Sequence, residues 1–452
     1  MRKIIIIFVA FGISLCTIQA QKKTFTIDER WVGKVENIVT NGIDFAYVTK
    51  EEKEGLMGME YSYYIIQKDK TFGPFDDFSQ IEYSSLDKLV FLVNLNDKSF
   101  VYHGETKLGP YDGLSRHFNN KCLNFSQDGK KLAFTASIGK LDYAIIDGVL
   151  KGPYDDIYSF GQITPLLSND GKKYAFPVKI DGNIYIVTEN GKKGKYSEIY
   201  NYIFSPDSKI FAYTYVSLNK SDYLSMNGKE YGPYNGINDL TFSSDSKTFI
   251  YCIVDNDNAY LIMNDKKYGP FGEMIFDITL SPDCNRLAFS YRIENDKHYI
   301  KLGDEKLGPY KSVGNILFTN DSKNIVYSFE SGDSYYIYNN NQPYGPIKEF
   351  PSDLVLNPIN SKFAFTNAIY DGGDENKILV FYNDKSFGPI ETEWFTYDEL
   401  LFDKNGKYLV YNVLKNSYLL NLETDEIFIG SLYKDGVVYI DGNQIIIEPY
   451  KK

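Results

Sequence analysis

Apolar and polar positions alternate along this chain in short runs. No stretch sustains a 3.6-residue apolar period, so the pattern predicts strands and very little helix. Residues 199–234 show the unit. Ile199 to Phe204 reads as a strand, and Ser205-Pro206-Asp207-Ser208 supplies a turn with Pro and Asp where turns favour them. Ile210 to Ser217, rich in aromatic and β-branched residues, is a second strand, and Leu218 to Ser221 is a polar loop. Asp222 to Met226 and Glu230 to Tyr234 then form a hairpin around Asn227-Gly228, a strong two-residue turn signal. Similar turns stand at Asp147-Gly148, Asn190-Gly191, Asn264-Asp265 and Asn383-Asp384.

This unit repeats. A Gly-Pro pair followed by an aromatic or isoleucine recurs at Gly73-Pro74-Phe75, Gly109-Pro110-Tyr111, Gly152-Pro153-Tyr154 and Gly232-Pro233-Tyr234. It continues at Gly269-Pro270-Phe271, Gly308-Pro309-Tyr310, Gly345-Pro346-Ile347 and Gly388-Pro389-Ile390, with degenerate copies at Gly33, Gly194 and Gly430. Successive glycines lie 36 to 43 residues apart. A second landmark, Ser/Thr-x-Asp-Gly/Ser followed by Lys and an apolar-Ala-aromatic triplet, runs in phase with the first. Its clearest copy spans Phe204 to Tyr213, and from Tyr213 to Phe365 the closing aromatic recurs in four steps of 38 residues.

A four-stranded antiparallel unit of about 40 residues, repeated about ten times, predicts an all-β β-propeller. The unbroken rhythm favours one large ring over two smaller propellers. Glycine permits φ > 0 where an outer strand ends, and proline withholds a ladder donor there, so Gly-Pro suits a blade boundary. The ring that follows proline is then expected to wedge between blades. Segments Lys23 to Val32 and Gly436 to Tyr450 carry strand patterns outside the ten units and are expected to pair and close the structure. The second landmark resembles the WD40-like repeat of the periplasmic TolB family over nearly the whole chain. That resemblance implies a propeller and, by analogy, a binding role. The chain departs from the family in having about ten units and no separate N-terminal α/β domain.

Residues 1–20 read as a secretory signal peptide rather than part of the fold. Arg2 and Lys3 precede the apolar run Ile4 to Leu15, and Ile18-Gln19-Ala20 offers a cleavage site. The propeller is assigned to residues 21–452, and a periplasmic, secreted or cell-surface location follows. Cleavage would remove Arg2 and Lys3 and take the net charge from −12 to −14. Three cysteines would remain, Cys122, Cys252 and Cys284, and the first two sit in apolar strand patterns that suit buried free thiols.

The acidic balance argues against a nucleic-acid partner. With 40 Tyr and 31 Phe against 3 His, the chain favours packing over imidazole chemistry. His103, His117 and His298 fall at unrelated places in their units. No Gly-x-Ser-x-Gly elbow occurs, and Gly113-Leu-Ser-Arg-His117 lacks the final glycine. Asp255-Asn-Asp257 and Asp371-Gly-Gly-Asp374-Glu375 do not match a calcium loop. The turn aspartates Asp128, Asp170, Asp207, Asp245, Asp283 and Asp321 are expected to accept from amides two residues on.

These readings point to a non-catalytic, monomeric scaffold without metal or cofactor, binding an envelope or extracellular protein or a glycan. A propeller-fold glycosidase, lyase or peptidase-associated enzyme is the alternative. The expected binding face carries Phe75, Asp76, Tyr111, Asp112, Tyr154, Asp155, Tyr234, Phe271 and Tyr310.

Overall fold

The computed structural model describes residues 22–449 except 33, 42, 56–57, 85–87, 115–122, 158–164, 294–296, 340–341, 370–375, 393–396, 414–415, 434–435 and 443. The signal-peptide segment therefore lies outside the described residues, as do Cys122, His117 and the acidic run 371–375. The strands form ten antiparallel sheets that follow one another in chain order. The unit read at 199–234 appears as strands Glu198–Phe204, Phe211–Val216, Asp222–Met226 and Lys229–Tyr234, hydrogen-bonded in that order. Among the described residues the single helical element is the short 3-10 turn Glu29–Trp31.

Numbered along the chain, the blades span 35–75, 77–111, 113–154, 156–196, 198–234, 236–268, 274–310, 312–347, 352–392 and 397–429. In blades 3 and 4 the first strand is broken into two short pieces, Gly113–Leu114 with Asn124–Phe125 and Asp156–Ile157 with Leu166–Leu167. The tenth sheet is longer. Its strand Ile427–Tyr433 closes blade 10 with its first half and pairs with Gly436–Asp441 through its second. Gln444–Pro449 follows, and Lys23–Thr26 adds at the far edge in the register Lys23↔Ile447 to Thr26↔Gln444. The first and last described strands thus share one terminal blade, as the patterns at 23–32 and 436–450 predicted, although only Lys23–Thr26 of the first segment is strand and Glu29–Trp31 is a 3-10 turn.

The core is a series of seams between neighbouring blades. Ala46, Ile65, Phe78 and Phe91 fill the seam of blades 1 and 2, and Ala212, Leu224, Ile237 and Tyr251 that of blades 5 and 6. The terminal blade presents Val437, Tyr439 and Ile446 to blade 10, and Val438, Ile445 and Ile447 to blade 1. Seams therefore run from blade 1 round to blade 1 again, and the chain makes one ring. The first strands of neighbouring blades approach one another and line the axis.

The fourth strands form the perimeter, where each leaves an unpaired edge. Lysines such as Lys107, Lys192, Lys267 and Lys306 stand there, a common defence against edge-to-edge pairing. Several lie over a ring of the adjacent third strand: Lys107 is 3.9 Å from the Phe100 centroid, Lys267 3.6 Å from Tyr260 and Lys306 3.7 Å from Tyr299. Of the predicted turns between third and fourth strands, Asp147-Gly148, Asn227-Gly228 and Asn264-Asp265 have φ > 0 at both residues, with 47° at Asn227 and 84° at Gly228, while Asn190-Gly191 and Asn383-Asp384 have it at one.

Candidate binding face

In seven blades the Gly-Pro pair sits inside the fourth strand as a bulge, whereas in blade 6 the strand stops at Tyr268, just before Gly269. Val101 pairs with Leu108 and Ser99 with Tyr111, so Gly109 and Pro110 together oppose Phe100. Gly109 has φ +115°, and a Cβ there would lie 2.9 Å from the Ser99 carbonyl oxygen and 3.1 Å from the Phe100 ring. The Gly-Pro peptide is cis in seven described copies.

The bulge decides where the following ring points. Phe75 and Tyr111 are buried, and Tyr154, Tyr234, Phe271 and Tyr310 are half-buried in their seams. Tyr111 meets Phe134 edge-on at 5.7 Å, Tyr154 meets Phe176 at 5.9 Å, and Phe271 meets Phe289 at 4.9 Å. The Tyr310 hydroxyl lies 2.7 Å from that of Tyr327. Six rings placed on the expected binding face are therefore packing elements, the role that a wedge between blades would give them.

The aspartates after those rings hold loops. The Asn96 amide donates to Asp76 Oδ2 over 2.7 Å, the Gly139 amide to Asp112 Oδ2 over 2.6 Å, and the Asp181 amide to Asp155 Oδ2 over 2.8 Å. Lys98 also pairs with Asp112, and this cation with the Gly139 amide holds the carboxyl below its ordinary value. Each aspartate stands at the crossing between two blades and pins the turn between second and third strands of the blade that follows. These turns and the crossings between blades form one face of the ring, the loop face. Blade 1 extends it with a long hairpin, Phe45–Gly55 and Gly58–Gln67, that exposes Met59 and Tyr61.

The opposite face is built from the second landmark. In Ser205-Pro-Asp-Ser208 the Ser205 hydroxyl donates to Asp207 Oδ1 over 2.7 Å, while the Lys209 amide donates to the same oxygen over 3.1 Å. Hydrogen bonds from Ser205, Lys209 and its amide pull Asp207 down to about 2. Lys130, Lys172, Lys247, Asn285 and Lys323 amides make the same bond to Asp128, Asp170, Asp245, Asp283 and Asp321, as predicted. The turns also clasp one another. The Asp170 amide donates to Ser208 Oγ, that of Asp207 to Ser246 Oγ over 2.9 Å, and that of Asp283 to Ser322 Oγ over 3.1 Å. Cys284 replaces the serine in blade 7, and its Sγ lies 3.2 Å from Ser244 Oγ.

A third array faces the axis. Asp239, Asp277, Asn315 and Asp353 recur every 38 residues, each at φ between 49° and 54° in a bulge of the first strand. A small second-strand residue stands opposite: Cys252, Ser290, Ser328 or Thr366. Ser290 Oγ donates to Asp277 Oδ2 over 3.1 Å, and Thr366 Oγ1 to Asp353 Oδ2 over 2.7 Å. Solvent reaches Asp239 and Asp277, but the surrounding wall removes enough water to push both carboxyls up. The charge of Asp277 adds to the rise at Asp239. The alternation within each unit hides this array, and only its 38-residue period could have revealed it.

A pocket of about 370 Å³ opens beside it, lined by Phe276, Asp277, His298, Asn315 and Phe350. His298 stacks on Phe276 at 6.1 Å, and His103 is half-buried, with burial and the nearby Lys88 charge lowering its pKa. Cys252 is a buried free thiol whose pKa burial pushes up. Asp255 pairs with Lys267 at 3.3 Å. Among the described residues, no three His, Cys, Asp or Glu side chains gather where they could hold a metal ion.

No protein-family model matches the chain, and no curated protein matches it. Solved structures similar to it include TolB from Acinetobacter baumannii, at 15% identity and TM-score 0.26 over 57% of this chain and 76% of that one. A structure of the eukaryotic initiation factor aligns at 13% identity and TM-score 0.43 over 92% of this chain and 98% of that one. The Dos1 propeller aligns at 11% identity and TM-score 0.30 over 94% of each chain.

Proposed function

We propose that this protein is an exported, non-catalytic propeller scaffold that holds an envelope or extracellular protein, or a glycan, on the loop face of its ring. The contrast between the two faces carries the reading. One face repeats the same clasped Ser/Thr-x-Asp turn from blade to blade, and its polar groups are taken up by one another. The other varies from blade to blade around aspartates that fix the loop backbones, as a surface that contacts a partner at many points requires. Met59 and Tyr61, 50% and 46% exposed on the projecting hairpin, are adaptable contacts of the kind such surfaces use.

Export is supported by Arg2, Lys3 and the apolar run that follows. The test is a pull-down from an envelope fraction beside a glycan-binding screen, with wild type and a Met59→Ala/Tyr61→Ala double variant. Capture by wild type that falls at least about fivefold in the variant, with an unchanged melting curve, supports the reading. Turnover of a polysaccharide or peptide by the purified protein would overturn it.

A further inference from the structure

The seam between blades 6 and 7 departs from the others. At the end of each first strand, one cross-strand pair packs into the blade: Thr40/Phe45, Tyr83/Leu89, Phe125/Leu132, Leu167/Tyr174, Phe204/Phe211 and Phe242/Phe249. It continues as Phe318/Ile325, Leu356/Phe363 and Phe402/Leu409 in blades 8 to 10. Every one of these pairs contains an aromatic ring. Blade 7 alone among the ten carries two leucines there, Leu280 and Leu287. The fourth strand that should cover this seam is also shortened, to Lys266–Tyr268, and the chain leaves through Gly272 at φ +91°.

A cavity of about 400 Å³ lies where the ring is missing. Leu261, Met263, Tyr268, Phe271, Leu287 and Phe289 give it apolar walls. Arg286 and Lys301, both half-buried, also line it, against the single carboxylate of Asp304. The next blade pins Arg286, whose guanidinium donates to the Ser322 carbonyl over 3.0 Å. Lys301 donates to the Asp304 carbonyl over 3.0 Å, and an ammonium carries two further N–H groups.

We propose that this cavity binds a small amphipathic carboxylic acid, with its acyl chain between blades 6 and 7 and its carboxylate on Lys301. The volume falls in the range of small-molecule sites, and the lining joins a continuous apolar wall to a net positive charge. Such a ligand replaces the side-chain volume that the other blades supply themselves. The site lies away from the loop face and does not depend on partner binding there.

Titration calorimetry of the full chain with octanoate and, as a neutral control, octanol tests the proposal. Wild type should bind octanoate saturably and about fivefold more tightly than octanol. Leu287→Phe places a ring where Phe211, Phe249 and Phe363 stand in other blades. It should lose octanoate by about tenfold or more while melting at an equal or higher temperature. Lys301→Gln, which leaves the apolar wall intact, should remove the preference for octanoate over octanol. Absence of saturable octanoate binding to wild type would overturn the proposal, as would unchanged binding by a folded Leu287→Phe protein. Equal affinity of wild type for octanoate and octanol, or an undiminished preference in Lys301→Gln, would overturn the carboxylate assignment.

Discussion

Ser431 Oγ donates to the Ile38 carbonyl over 2.8 Å and joins the terminal blade to blade 1. Val438, Ile445 and Ile447 pack there against Val35, Ile38 and Tyr47, while Lys23–Thr26 covers the outer edge. Removing residues 436–452 would strip two seams and leave blades 1 and 10 with apolar faces in water. Several buried aliphatic side chains are worth several kcal/mol together, so the melting temperature should fall by roughly 10 °C or more. Ser431→Ala alone should cost about 1 kcal/mol. Calorimetric melting of both variants checks this, and an unchanged curve for the truncation would mean that the ring does not depend on closure.

The Gly-Pro bulge predicts a sharp difference between two glycines of the same unit type. Alanine at Gly109 would set its Cβ 2.9 Å from a backbone carbonyl that belongs to the sheet ladder. At Gly148, with φ +79°, no heavy atom lies within 4 Å. Gly148→Ala should cost about 1–2 kcal/mol for the left-handed backbone alone, and Gly109→Ala roughly 3 kcal/mol or more. Urea unfolding of the pair measures the gap. Equal losses would remove the close approach as the reason for glycine.

Strands, turns, ring and closing segments were all legible, because each follows from a period of two within strands and about 40 between them. Tyr111 carried two expectations, a wedge between blades and a ring on the contact face, and it takes the first against Phe134. A bulge inserts one residue, so a period of two carried past Gly109-Pro110 could not choose between them. The same event hid Asp239 and Asp277, whose first strands bulge beside them. The turn aspartates escaped this ambiguity because their bonds are local, closing over two residues. The clasp from Asp207 to Ser246 spans 39 residues and needed the ring to form it.

Tyr111 and Tyr61 separate packing from exposure. Tyr111 is 5% exposed against Phe134, so Tyr111→Ala should cost about 3–5 kcal/mol through the cavity it leaves. Tyr61, on the projecting hairpin, should change stability by no more than about 0.5 kcal/mol when replaced by alanine. Denaturant titrations of the two variants decide the matter. A neutral Tyr111→Ala change would return that ring to the candidate contact surface.

The turn aspartates give the fold a stability contribution that depends on acid pH. Asp128, Asp207, Asp245 and Asp283 are held at about 2, below an ordinary value of 3.8. A carboxyl lowered by folding adds stability above its unfolded value and loses it as pH falls through the folded one. Stability should therefore drop between pH 3.8 and about 2 as these turns protonate. Asp207→Ala should lower the melting temperature at pH 7 and differ less from wild type at pH 2. A gap that stays constant over this range would separate the acid transition from the turn.

Asp277 has the opposite sign. Its carboxyl is raised above 3.8 by partial desolvation at the axis, so its contribution is complete below that value and is lost as pH rises through the folded one. At neutral pH the ionised group is a net cost. Asn315 occupies the same position in blade 8 with φ +52°, equal to that of Asp277, so asparagine suits this backbone. Asp277→Asn should raise the melting temperature at pH 7 and match wild type below pH 3.8. The Asp277 charge also lifts Asp239, so each single change relieves part of the other's penalty. The double variant should gain less than the sum of its parts. Additive gains would mean that the two carboxylates do not sense one another between neighbouring blades.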